Sequence, residues 1–111
     1  MRGGQAMFIA RWQVEARFGY KQQAIDSMKK WLEEVGSQIG WKPEKTRLVT
    51  GSIGANESTI ETEIKVKSLK DLEDAWARLG KLKDHKKWGK EFEKYIVSGT
   101  ARWTIYRIVN D

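Results

Sequence analysis

Nine residues in the second half of the chain, TIETEIKVK from Thr59 to Lys67, alternate between two kinds of side chain without interruption. Ile60, Thr62, Ile64 and Val66 fall on one side, and Glu61, Glu63, Lys65 and Lys67 on the other. Successive side chains of a strand point to opposite faces, so a period of two predicts a β-strand with one face inward and one outward. The inward face of such a strand needs a covering layer.

Three other stretches supply partners for this strand. In AMFIARWQVEAR, Ala6 to Arg17, Phe8, Ala10, Trp12 and Val14 share one face and Met7, Ile9, Arg11, Gln13 and Glu15 the other. FGY ends that run. KTRLVTGSI, Lys45 to Ile53, predicts a strand, and GANES a turn that joins it to Thr59–Lys67 as a hairpin. TARWTIYRIV closes the chain with two alternating sets: Ala101, Trp103, Ile105 and Val109, against Thr100, Arg102, Thr104, Tyr106 and Ile108. The second set is the more polar and is assigned to the face of Arg11 and Gln13. A slip of one residue would exchange Tyr106 for Ile105.

Between the strands the period changes. From Lys21 to about Gln38, Ile25, Met28, Leu32, Val35 and Ile39 recur at helical spacing, with Gly36, Gly40 and Pro43 as stops. Ser68 with Asp71 predicts a capped helix start. Leu69, Leu72, Trp76 and Leu79 form its stripe, and Gly80 interrupts it. A second piece runs from about Asp84 to Tyr95. It splits into His85, Trp88, Phe92 and Tyr95 on one side and Lys83, Lys87, Lys90 and Lys94 on the other. The lysine side predicts a solvated face or a rim that attracts anions. The order β-α-β-β-α-β predicts an α+β, ferredoxin-like fold: a four-stranded antiparallel sheet, helices on one face, the second helix broken. One domain over residues 6–109 is expected, with residues 1–5 a flexible N-terminal lead.

Composition narrows the chemistry. The chain of 111 residues has no cysteine and one histidine, so thiolate sites and multi-imidazole metal sites are excluded. No metal site and no cofactor are expected. No apolar run approaches the ~18 residues of a membrane span, and no signal segment is recognised, so a cytoplasmic location is expected. The net charge of +6 favours anionic contacts. Nucleic acid is not the expected partner. The RNA-recognition module shares this element order, but TIETEIKVK lacks its stacking aromatics and exposes two glutamates. Gly-rich phosphate loops are missing too.

Six tryptophans are many for this length and require a core, an interface or a pocket. Two helices cover one sheet face, and the other face is mixed. Arg11, Gln13, Arg102 and Tyr106 are its candidate ligand-orienting groups, with Ile9 and Val49 as apolar lining. Trp76, His85, Trp88 and Phe92 are candidates from the helices, and Trp12 adds a ring from the first strand. For acid–base or electrostatic catalysis the candidates are His85, Arg11 and Tyr106, since such work needs a titratable group or a polarising cation beside a buried substrate.

Trp76, Leu79, Trp88, Phe92, Tyr95, Ser98 and Gly99, within W…L…HKKWGKEFEKYIVSGTARWTIYRI, carry a family likeness. From Met7 to Val109 the chain resembles the dimeric α/β-barrel superfamily, which includes NIPSNAP-like proteins and antibiotic-biosynthesis monooxygenases. The resemblance implies a homodimer whose two sheets meet face to face. It also implies a cavity on or under the sheet for a small apolar or aromatic ligand, with or without an acidic head. The alternative it implies is a cofactor-independent monooxygenase or isomerase-like enzyme. Haem-degrading members use an axial histidine on the second helix with a Trp and an Asn nearby. Here His85 stands with Trp76 or Trp88, but the first strand offers Gln13 in place of Asn.

Overall fold

The computed structural model describes residues 7–110; the expected lead at residues 1–5 and Ala6 lie outside the described residues. Four strands occur in chain order: β1 (Met7–Glu15), β2 (Thr46–Thr50), β3 (Thr59–Val66) and β4 (Arg102–Ile108). They form one sheet ordered β2-β3-β1-β4, antiparallel at each junction. The helices are α1 (Lys21–Glu34), α2 (Leu69–Leu79) and α3 (Lys83–Phe92). This is the expected α+β, ferredoxin-like arrangement, with the second helix broken in two. Among the described residues no helix is long and apolar enough to cross a membrane.

Register sorts the side chains into two faces. Trp12 pairs with Thr62 on one side and Trp103 on the other, and Leu48 pairs with Thr62, so one row reads Leu48, Thr62, Trp12, Trp103. That row lies under the helices. The adjacent row, Arg47, Glu63, Arg11, Thr104, lies on the open face. Arg102 opposes Gln13 and Tyr106 opposes Ile9, so the polar set of β4 shares the face of Arg11 as the pattern predicts. Val14, Ile60, Ile64 and Leu72 are at most 1 % exposed. Full burial of each such side chain contributes about 1.5–3 kcal/mol, which anchors the helix layer to the sheet.

Two helix boundaries differ from the pattern. α1 stops at Glu34, and Gly36–Ile39 winds as a tighter 3₁₀ turn. Gly40 closes it at φ 83°, a left-handed conformation that glycine adopts without steric cost. The buried residues of α1 are Ala24, Met28 and Trp31, with Ile25 and Leu32 at the margin. In α2, Leu69 is exposed and Ala75 buried, so the inward stripe begins at Leu72, about one turn after its expected start. The cap holds: Ser68 Oγ accepts from the Asp71 backbone N–H at 3.1 Å. After Gly80 the chain becomes extended at Leu82, and α3 begins at Lys83.

Candidate functional site

Each tryptophan comes from a different segment. Trp12 is on β1, Trp31 on α1, Trp41 in the loop before β2, Trp76 on α2, Trp88 on α3 and Trp103 on β4. All six wall one cavity of about 220 Å³ between the sheet and the helices. Their rings form an unbroken series of contacts. Trp76 meets Trp103 at 5.2 Å, Trp103 meets Trp41 at 6.3 Å, Trp41 meets Trp31 at 5.7 Å and Trp31 meets Trp88 at 5.8 Å between centroids. Phe92 links Trp88, at 4.4 Å, to Trp12, at 6.0 Å. Tilted and edge-on pairs dominate, as the quadrupoles of aromatic rings favour. Thr62 and Ile64 bring β3 to the same wall.

His85 enters this wall from the first turn of α3. Trp31 Nε1–H donates to His85 Nδ1 at 3.1 Å. An indole nitrogen only donates, so Nδ1 is an unprotonated acceptor and the neutral ring carries its proton on Nε2. Burial lowers the His85 pKa below its ordinary 6.5, because the imidazolium would lose water. Trp88 is also held: its Nε1–H reaches Ser27 Oγ at 2.8 Å and Ser27 O at 3.1 Å. Two polar atoms of the wall residues are left over. Thr62 Oγ1 and Trp76 Nε1 are buried and have no hydrogen-bond partner among the described residues. Leaving such a group unpaired costs about 1–3 kcal/mol, so a partner that reaches either atom is stabilising.

The open face is organised differently. Glu63 is 8 % exposed and sits between two guanidinium groups. Arg47 Nη2 donates to Glu63 Oε1 at 2.6 Å, and Arg11 Nε lies 3.1 Å from Glu63 Oε2. The Arg11 contact is too poorly directed to be a hydrogen bond, so it is electrostatic. Arg11 also stacks over the Tyr106 ring at 4.9 Å. Arg102 Nη2 approaches Gln13 Oε1 at 3.4 Å. Ile9, Arg47, Glu63 and Ile108 line a shallow depression of about 230 Å³ on this face.

The eight expected ligand residues therefore fall into two groups with the sheet between them. Trp76, His85 and Trp88 meet in the cavity. Phe92 stands behind it, 2 % exposed, stacked on Trp88. Arg11, Gln13, Arg102 and Tyr106 lie on the opposite face. Trp31, Trp41, Trp103 and Thr62 join the cavity without having been candidates from spacing. The tryptophan count was the available signal for the three indoles; nothing in the pattern singled out Thr62. Lys83, Lys87, Lys90 and Lys94 are all exposed, and Lys94 pairs with Glu91 at 3.1 Å.

One other site fits less well. A groove of about 670 Å³ runs beside α2 and is lined by Lys45, Lys67, Asp71, Asp74 and Arg78. It is wide and open, its charges are of both signs, and Arg78 is engaged with the Ile39 carbonyl at 3.1 Å. Haem does not fit the cavity: a porphyrin exceeds 220 Å³, and the Nδ1 lone pair of His85 already takes the Trp31 proton. Among the described residues, no group of three or more His, Asp or Glu is placed to hold a metal ion.

No protein-family profile matches the sequence, and no curated protein sequence matches it. Solved structures do match in fold. A NIPSNAP family protein of unknown function from Agrobacterium tumefaciens superposes with a TM-score of 0.66 at 22 % identity, covering 95 % of this chain and 90 % of that one. A candidate antibiotic biosynthesis monooxygenase from Caulobacter crescentus gives 0.69 at 13 % identity, covering 96 % and 92 %. A dimeric ferredoxin-like protein of unknown function from Bacteroides fragilis gives 0.64 at 15 % identity, covering 92 % and 96 %. At these identities the likeness is one of fold. The chain shares the ferredoxin-like fold of NIPSNAP-family and antibiotic-biosynthesis-monooxygenase-like proteins.

Proposed function

We propose that this protein binds a small apolar or aromatic molecule in the six-tryptophan cavity under the sheet, and that two copies pair through their open sheet faces. The observation that carries the first part is the convergence of six segments, one indole from each, on a single cavity. A packed core needs no such cavity, because protein interiors ordinarily fill to crystal density. A volume of about 220 Å³ is below the ~300–1,000 Å³ of drug-sized sites, so the occupant has one or two rings. An acidic head on the ligand, which Arg11 and Arg102 would have met, has no place in this reading.

Calorimetric titration with one- and two-ring aromatics tests it. Saturable binding at one molecule per chain is expected, with a negative heat-capacity change. Ile64→Phe, which fills the cavity, should abolish binding while the protein stays folded. Binding that survives this substitution would move the ligand elsewhere.

A second reading is a cofactor-independent monooxygenase or isomerase-like enzyme. His85 favours it, as the titratable residue on the cavity wall, held neutral with a proton on Nε2. In that role it donates to a developing oxyanion and does not act as a base. His85→Gln should then stop turnover of a bound aromatic while leaving its affinity within a few-fold.

A further inference from the structure

We propose that the cavity selects a neutral aromatic carbonyl compound of one or two fused rings, its oxygen accepting from Trp76 Nε1–H and Thr62 Oγ1–H. This rests on the reading of the cavity as a ligand site. The polar inventory of the wall is one-sided. The indole N–H groups of Trp31 and Trp88 are spent on His85 and Ser27. Of the other wall groups, Trp76 Nε1, which only donates, and the Thr62 hydroxyl are buried and without a partner among the described residues; the indoles of Trp12, Trp41 and Trp103 add only donors. Nε2–H of His85 is a further donor. Against these the side chains of the wall offer a single oxygen acceptor, that same hydroxyl. A ligand that brings its own donor finds little to receive it, whereas an acceptor oxygen relieves two orphaned groups at once.

Charge narrows the class further. No lysine, arginine, aspartate or glutamate lines the cavity. A carboxylate would enter without a counter-ion, and burying an unpaired charge is costly. The neutral state of His85 belongs to the same picture: burial disfavours charge here. A ring ketone or aldehyde brings an acceptor without charge, and its flat body can offset-stack or meet indole edges.

Three probes of one shape separate the terms: indanone, indane, which is the same ring system without oxygen, and indane carboxylate. Indanone should bind at least about tenfold more tightly than indane, the worth of a buried hydrogen bond. It should also move the Trp76 indole proton downfield in a nitrogen–proton correlation spectrum, which indane should not. Thr62→Val, nearly isosteric, should erase most of that preference and leave indane affinity unchanged, with a melting temperature equal to or above wild type. Equal affinity for indanone and indane overturns the carbonyl proposal and leaves the cavity reading standing. Tighter binding of the carboxylate overturns the choice of a neutral oxygen. If none of the three binds, the cavity reading falls and the carbonyl proposal with it.

Discussion

His85 reaches the cavity from the first turn of α3 and accepts the Trp31 indole proton. Spacing places it on the inner stripe of α3 beside Trp88 and Phe92, and the cavity wall is where that stripe leads. Its consequence is a dependence on pH. The unfolded chain takes up the His85 proton below about pH 6.5, while the folded chain resists until lower pH, because burial depresses its pKa. This stabilisation is complete above the unfolded value and is lost as pH falls toward the folded one. No other titratable side chain lines the cavity; Asp84 and Lys86 flank His85 on its own helix and are exposed. Wild type should therefore lose more thermal stability than His85→Gln between about pH 7.5 and about pH 5. Parallel melting curves for the two proteins would refute this. Trp31, the hydrogen-bond partner, was not legible. It lies beside the stripe of Ile25, Met28 and Leu32, and periodicity cannot rank an indole one position from the stripe's centre.

Among the elements, the β2–β3 hairpin was legible as a hairpin, but the reason for one of its glycines was not. GANES reads as a turn, and Gly54 occupies it at φ 82°. Gly51 has no such conformational excuse. A β-carbon there would stand 1.7 Å from the Asn56 carbonyl oxygen, a backbone atom with no freedom to retreat. Gly51→Ala should therefore open the loop and destabilise the fold by about 1–3 kcal/mol, the usual cost of forced overpacking. Urea denaturation gives the number; a change below a few tenths would mean that the loop moves freely. The two strands and their inward faces follow from local alternation alone. Gly51 answers to a residue across the loop, and no local pattern encodes that contact. The early stop of α1 has a similar origin. The Gly36–Ile39 turn tightens the chain before Trp41, which packs against Trp31 and Trp103.

For the whole molecule, element order was enough to predict the fold, because each strand and each helix announces its period separately. The cavity was not predictable in that way. Its six indoles lie on six segments, and only the packed sheet and helices bring them together. The open face raises the matching question of assembly. Its centre is the Glu63 carboxylate paired with two guanidinium groups, Arg11 and Arg47, with Tyr106 and Val49 exposed nearby at 52 % and 37 %. Paired charges and partly exposed apolar side chains suit contact with a second copy of the same face. Light scattering at micromolar concentration should give twice the chain mass, and Tyr106→Glu should shift the population toward monomer. A monomeric wild type at that concentration would remove the paired-sheet proposal.

The series of rings around the cavity has an optical consequence. Indoles with centroids 5.2 to 6.3 Å apart are close enough to share an excited state. Light absorbed by Trp76 can migrate through Trp103, Trp41 and Trp31 to Trp88, where the imidazole of His85 lies stacked at 6.0 Å. Their emission then reads as that of one chromophore rather than five. A quencher admitted to the cavity should darken the whole set, and near-ultraviolet dichroism should carry the paired bands of coupled rings. Tryptophan emission would then report directly on whether the proposed ligand occupies the cavity.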